Sequence, residues 1–435
     1  MTNRRVVITG LGPVSPIGIG KQQFIDAVKN GVIGIKKITA FAPDNFKSQI
    51  AGQLPDDFKC RDYVPKSYRK SIKVMARDIE LAVAAADLAV RDANIKTKAI
   101  DPDNTDIDPS RLSVNIGAGL ICADLNELTF ALYSAIDENG EFSLKKWGNI
   151  GMNNLTPLWL LKYLPNMLSC HVTIIHDAQA PSNAIVCGEA SGHLAISEAF
   201  NTIKFDKADI CLAGGAESKI NPMSLMRQDL MNRLTHSHNE TPESAVRPFD
   251  NDRDGTAVAE GGAIIALEEL ERAKKRNANI YAEIVATGAS FGADDNFEIE
   301  KEGKAISIAI KNALNAANIN AKDIDLVVSF ATGLKTQDKA EAVAIKQMLN
   351  DVPVTSIKGQ IGCNGAGSGA IDIAISAAIL ANGFIPKTIN CKNLDAECPV
   401  NIVTEYQETK IKTVMTIGYS LSGGQVSAII LRKFE

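Results

Sequence analysis

A-P-S-N-A-I-V-C-G-E-A-S-G, residues 180–192, reads as a buried strand, a sharp turn and the opening of a helix. Residues 184–187 form a short apolar run with two β-branched side chains, and Gly188 breaks it. From His193 onward, Leu-Ala-Ile-Ser-Glu-Ala-Phe sets apolar residues at helical spacing. A second buried strand follows directly, D-I-C-L-A-G-G-A-E at 209–217.

Working outward, R-V-V-I-T at 5–9 is another β-branched run, and it enters a turn-like G-L-G-P-V-S-P. Apolar residues recur at helical spacing over 72–95, predicting one long amphipathic helix, and residues 112–116 predict a short strand. Two apolar runs at 262–268 and 280–286 form a hairpin-like pair around the charged E-E-L-E-R-A-K-K-R-N-A-N. Beyond residue 300 a similar order recurs: helix 305–317, strand 324–330, helix 338–349, strand 354–358, a Gly-rich turn, helix 370–380, then strands 413–418 and 425–432. Strands alternating with helices argue for an α/β protein with a parallel-rich sheet covered on both faces. The two series predict duplicated βαβ halves, 1–275 and 276–435.

A chain of 435 residues with 45% hydrophobic and 22% charged residues can bury a large core. The net charge of −5 argues against a nucleic-acid surface, which needs an excess of Lys and Arg. The start, M-T-N-R-R-V-V-I-T-G, holds an apolar run too short for an export signal, and no stretch has the roughly 18 uninterrupted apolar residues of a membrane span. A cytoplasmic protein without membrane contact is expected. The cysteines at 60, 122, 170, 187, 211, 363, 391 and 398 show no C-x-x-C pairing, so reduced thiols and no metal site are expected.

Four segments carry a resemblance: V-V-I-T-G-L-G-P-V-S-P-I-G (6–18), R-P-F-D-N-D-R-D-G-T-A-V-A-E-G-G-A (247–263), T-S-I-K-G-Q-I-G-C-N-G-A-G-S-G-A (355–370) and G-Y-S-L-S-G-G-Q (418–425). In this order and at this spacing they resemble the thiolase-fold β-ketoacyl-[acyl carrier protein] synthases. The resemblance implies a thiolase-like fold, five layers deep in the order α-β-α-β-α, and no cofactor.

In such synthases a cysteine at the strand-to-helix turn is activated by the helix N-terminus and carries the acyl chain. Aligning 180–192 on its flanking P-S and S-G puts Glu189 at that position. Cys187, two residues earlier, is either a displaced nucleophile or a small core residue. The family's two histidines bind the thioester oxygen and assist decarboxylation of the malonyl unit. Here all five histidines, at 171, 176, 193, 236 and 238, lie in the first 238 residues. In S-F-A-T-G-L-K-T-Q-D-K-A-E-A (329–342), Thr332 stands for the first histidine, or Ala331 if the gap is placed differently. Cys363 stands for the second, while Lys358 matches the family's lysine. Ser422-Gly423-Gly424-Gln425 lacks the aromatic gate of the family's last loop.

Scaffold motifs retained without a nucleophile or histidines resemble the chain-length factor, which pairs with an active ketosynthase in type II polyketide or aryl-polyene systems. Most such factors carry Gln where this chain has Glu189. The resemblance implies a heterodimer, or a dimer of heterodimers, that works with acyl carrier protein and whose interface tunnel sets product length. The matching stretch offers Ala123, Leu125, Leu128, Phe130 and Tyr133, which cannot all face one way on a helix. Residues 153–168, rich in large apolar side chains, suggest an interface loop and short helix. The basic run 271–276 is either a carrier-protein contact or a solvated turn. Two alternatives stay open: a malonyl-carrier-protein decarboxylase used for priming, and a non-catalytic homodimer that binds acyl carrier protein.

Overall fold

Two halves with one strand order make up the computed structural model, which describes residues 4–294 and 300–435. The first half runs β1 (Val6–Ser15), α1 (Arg77–Asp92), β2 (Leu112–Gly117), α2 (Leu125–Tyr133), α3 (Met167–His176), β3 (Asn183–Ile185), α4 (Ser191–Lys204), β4 (Ile210–Ser218) and β5 (Val258–Glu269). The second runs β6 (Ala282–Phe291), α5 (Lys304–Ala317), β7 (Leu326–Val328), α6 (Lys335–Leu349), β8 (Pro353–Thr355), α7 (Ser368–Asn382), β9 (Thr413–Tyr419) and β10 (Gln425–Arg432). From the centre outward the strands lie β1-β5-β4-β2-β3 in one half and β6-β10-β9-β7-β8 in the other. The halves join where β1 pairs with β6, Val6 opposite Ile284 and Ile8 opposite Ala282.

Alternation along each strand creates the layers, because successive side chains leave opposite faces of a sheet. In β4, Cys211 and Ala213 enter the central core while Ile210 and Leu212 enter an outer one; in β5, Ala263 and Ile265 point inward and Ile264 and Ala266 outward. The central core holds α4 and α7, one outer core holds α1 and α3, and the other holds α5 and α6. This is the five-layered α-β-α-β-α thiolase-like fold. Helix α7 is buried continuously from Ser368 to Leu380, which explains its apolar composition all round. The stretch Gly365–Asn382 is long and apolar enough to cross a membrane, yet 89% of it is packed inside the protein.

Several expectations change. Strand β1 runs on through the expected turn to Ser15, because β5 continues the ladder to the Val14–Gly262 pair beyond a register shift between Ile8 and Gly10. The helix expected over 72–95 divides: a 3-10 run covers Lys66–Val74, extended Met75 and Ala76 break it, and only Arg77–Asp92 is α-helical. The two runs around the charged segment form no hairpin, since β1 lies between β5 and β6 and the segment itself folds into a short helix, Leu270–Lys275. Along the main strand order the central pairings are antiparallel and the outer ones of each half parallel; a short strand, Ile50–Gly52, adds a further parallel pairing at the start of β5. The strand expected over 354–358 stops at Thr355, and Lys358 opens a helical turn, Lys358–Ile361.

Candidate functional site

Strand β3 ends at Ile185, and a 3-10 turn, Gly188–Ala190, feeds α4. Ser191 fixes this junction: its Oγ accepts the Cys187 N–H at 2.8 Å and donates to the Gly188 carbonyl at 2.6 Å. Gly188 adopts φ +56°, and a Cβ there would come within 2.6 Å of Ser420 Oγ, so glycine lets the last loop close over the turn. The turn aims Glu189 inward, where the residue is 4% exposed.

Burial alone would raise the Glu189 pKa, but Lys219, Arg233 and the Leu421 N–H outweigh it and hold the carboxyl below its ordinary value. Glu189 Oε2 accepts the Leu421 N–H at 2.9 Å, and Lys219 Nζ lies 3.8 Å from Oε1. Lys219 also donates to Glu217 at 2.9 Å, and the other Glu217 oxygen accepts the Ala366 N–H at 2.7 Å. Burial opposes the Lys219 ammonium, yet Glu217 and Glu189 raise its pKa. The turn of a would-be nucleophile therefore ends in a buried anion–cation–anion chain.

Cys363 shares this centre. Burial pushes its thiol up to about 11, and the Glu189 charge adds to the rise while Lys219 opposes it. Cys187 is half-buried, and burial raises its thiol too. Neither thiol has the lowered pKa that a thiolate nucleophile needs. Thr332 is fully buried on the neighbouring loop, whose N–H groups are consumed by carboxylates: Phe330 and Ala331 donate to Glu341, Thr332 and Gly333 to Asp338. Burial pushes Glu341 up to about 8 and Asp338 up to about 6 against these hydrogen bonds. Lys358 is fully buried and donates to both Asp372 oxygens at 2.5 and 2.6 Å, with its ammonium 5.3 Å from the Phe330 ring centre. That geometry makes Lys358 a structural tie between its loop and α7.

Glu217, Lys219, Arg233, Asp338, Glu341 and Asp372 were not found from the sequence. Glu217 and Lys219 do carry a signal, opposite charges two residues apart at the end of an apolar strand, where period two puts them on one side. Arg233 carries none, because its partners lie nearly 190 residues away.

Of the five expected tunnel residues, Ala123 and Leu125 line a cleft of about 790 Å³, together with Arg77, Asp78, Lys162 and Tyr163 among others. Leu128 is half-buried but not part of the lining, whereas Phe130 and Tyr133 are 66% and 75% exposed on α2. Leu132, Phe142, Leu144 and Met152, in the same stretch of chain, are exposed as well. Trp159 opens a 3-10 turn, Trp159–Tyr163, tied to α2 through Tyr163 and Glu127 at 2.8 Å. In the basic run, Arg272 and Arg276 both pair with Glu268, and Lys274 with Glu271.

The β-ketoacyl synthase N-terminal domain model matches residues 3–273, and the C-terminal domain model matches 281–392. The chain is 32% identical to 3-oxoacyl-[acyl-carrier-protein] synthase 2 of Coxiella burnetii, covering 100% of both chains. It is 31% identical to a Streptomyces halstedii protein named as a polyketide β-ketoacyl synthase 1, covering 99% of this chain and 98% of that one. Among solved structures, a type II polyketide synthase acyl-carrier protein complexed with its hexaketide-bound ketosynthase matches with TM-score 0.85, 26% identity and 100% coverage of both chains. The ishigamide ketosynthase/chain length factor matches with TM-score 0.84, again at 26% identity over 100% of both chains. Fold, motif order and full-length similarity to type II polyketide ketosynthases agree: the chain belongs to the β-ketoacyl synthase family.

Proposed function

We propose that this chain is a non-catalytic chain-length factor, pairing in the cytoplasm with an active ketosynthase that carries the growing acyl chain. The chief support is the Glu189 carboxylate. An acyl group on it would be a mixed anhydride rather than a thioester, and its oxygens already face Leu421 N–H and Lys219. Neither Thr332 nor Cys363 can replace an imidazole that binds an oxyanion and moves a proton near neutral pH. Such groups act as a unit, so their joint loss removes condensation rather than slowing it.

The apolar surface around Phe130 and Tyr133 supports a partner. Several large apolar side chains exposed in one stretch of chain are unusual for a surface that faces only water, and a solved structure of the same fold is a ketosynthase/chain length factor. The cleft beside α2 is where the end of a product chain would be accommodated.

The test is a condensation assay with malonyl- and acyl-carrier protein, using this chain alone, its ketosynthase partner alone, and the two co-expressed. Product from the pair only, abolished by changing the partner's nucleophilic cysteine and unaffected by Glu189→Gln, is expected. Ketoacyl product from this chain alone would refute the assignment.

A further inference from the structure

Glu189 and Arg233 grip one residue, Leu421, by the peptide groups on its two sides. Glu189 Oε2 takes the Leu421 N–H at 2.9 Å, and Arg233 donates to the Leu421 carbonyl at 2.6 Å and to Ser422 Oγ at 2.5 Å. The gripped loop ends in Gly423 and Gly424, at φ +99° and +72°, and the Leu421 side chain is 1% exposed in the core against α5 and α6. Arg233 also lines a cavity of about 520 Å³ with Asp254, Leu334 and Lys335. Glu189, Thr332 and Cys363 line no part of that cavity and are each at most 4% exposed.

We infer that Glu189 and Arg233 form a clasp that locks the 420–424 loop shut, so that the outer cavity stops at Arg233 and does not reach the degenerate centre. Glu189 at the nucleophile position is then a positioning residue with a use of its own. It holds the loop in which family synthases carry the aromatic gate. This extends the chain-length-factor reading by naming what keeps the vestigial site closed, and its readout is independent of any condensation.

Cys363 is the reporter. Full-length protein is treated with N-ethylmaleimide, and modification of Cys363 is followed peptide by peptide by mass spectrometry, with buried Cys211 in β4 as internal control. One charge-assisted hydrogen bond lost from a local opening equilibrium corresponds to about tenfold or more in exposure. Arg233→Ala and Glu189→Ala should raise the Cys363 rate by that factor and leave Cys211 unchanged. Glu189→Gln keeps an oxygen to accept the Leu421 N–H while removing the same charge, so its Cys363 rate should rise only by the electrostatic part and stay well below that of Glu189→Ala. Equal acceleration in Glu189→Gln and Glu189→Ala would overturn the clasp, since it would reflect the altered thiol electrostatics alone. An unchanged Cys363 rate in all variants would also overturn it, as would parallel rises at Cys211.

Discussion

Glu189 is ionised in a buried setting because cations and a peptide N–H were built around it, whereas Asp78 shows the opposite outcome. Asp78 lies at the start of α1, 4% exposed, and burial followed by the Glu217 charge pushes its carboxyl up to about 8. A carboxyl raised on folding is bound to a proton more often in the native than in the unfolded chain. Its contribution to stability is therefore full below the unfolded pKa, near 4, and is lost as pH rises towards 8. Asp78→Asn removes this linkage. Urea midpoints at pH 5 and 8.5 should show the variant gaining on the wild type at the higher pH; parallel profiles would contradict the shift. Lys358 and Asp372, both fully buried, make a second prediction at this scale. Lys358→Met strands the carboxylate and should cost about 3–5 kcal/mol, while Lys358→Met with Asp372→Leu should recover most of it. Equilibrium unfolding of both variants checks this. The positions of Glu189, Lys358 and Cys363 were legible because motifs flank them, but their partners were not. Residues 189 and 421 lie 232 positions apart and meet only once the chain between them has folded.

Helix α1 shows why elements were easier to find than to delimit. Its apolar spacing is strong, but Met75 and Ala76 are extended, and no pattern of hydrophobicity separates a 3-10 run from an α-helix before it. The alanines of α1 are there for contact with β1: a Cβ on Gly12 would come within 2.0 Å of the Ala85 carbonyl oxygen. Gly12→Ala should therefore destabilise by about 1–3 kcal/mol, in the range of overpacking, as read by thermal or urea unfolding. Helix α2 is predicted to behave in the reverse way. Phe130→Asp with Tyr133→Asp changes two largely exposed side chains, so the chain's own stability should move by no more than about 0.5 kcal/mol each. Association with a co-expressed ketosynthase should be lost, as sizing chromatography would show; an intact complex would remove α2 from the interface. The hairpin misreading around 268–279 has a plain cause: adjacency in sequence suggested pairing, whereas β1 from the chain's start takes the place between β5 and β6.

Across the whole molecule, duplication was readable because each half repeats the same alternation of strands and helices, and the layered fold follows from which strand faces are apolar. The antiparallel centre was not readable, since strand direction is decided by where the chain crosses, and crossing is a tertiary property. The fold's retention around a centre closed by buried ion pairs is intelligible if shape and surface are what the chain supplies. That division of labour is best tested on the complex at work. The chain and its ketosynthase partner, purified together, are incubated with acyl- and malonyl-carrier protein, quenched, and examined by intact-protein mass spectrometry. An acyl adduct on the partner subunit and none on this chain is the predicted result; an acyl adduct on any side chain of this subunit would contradict it.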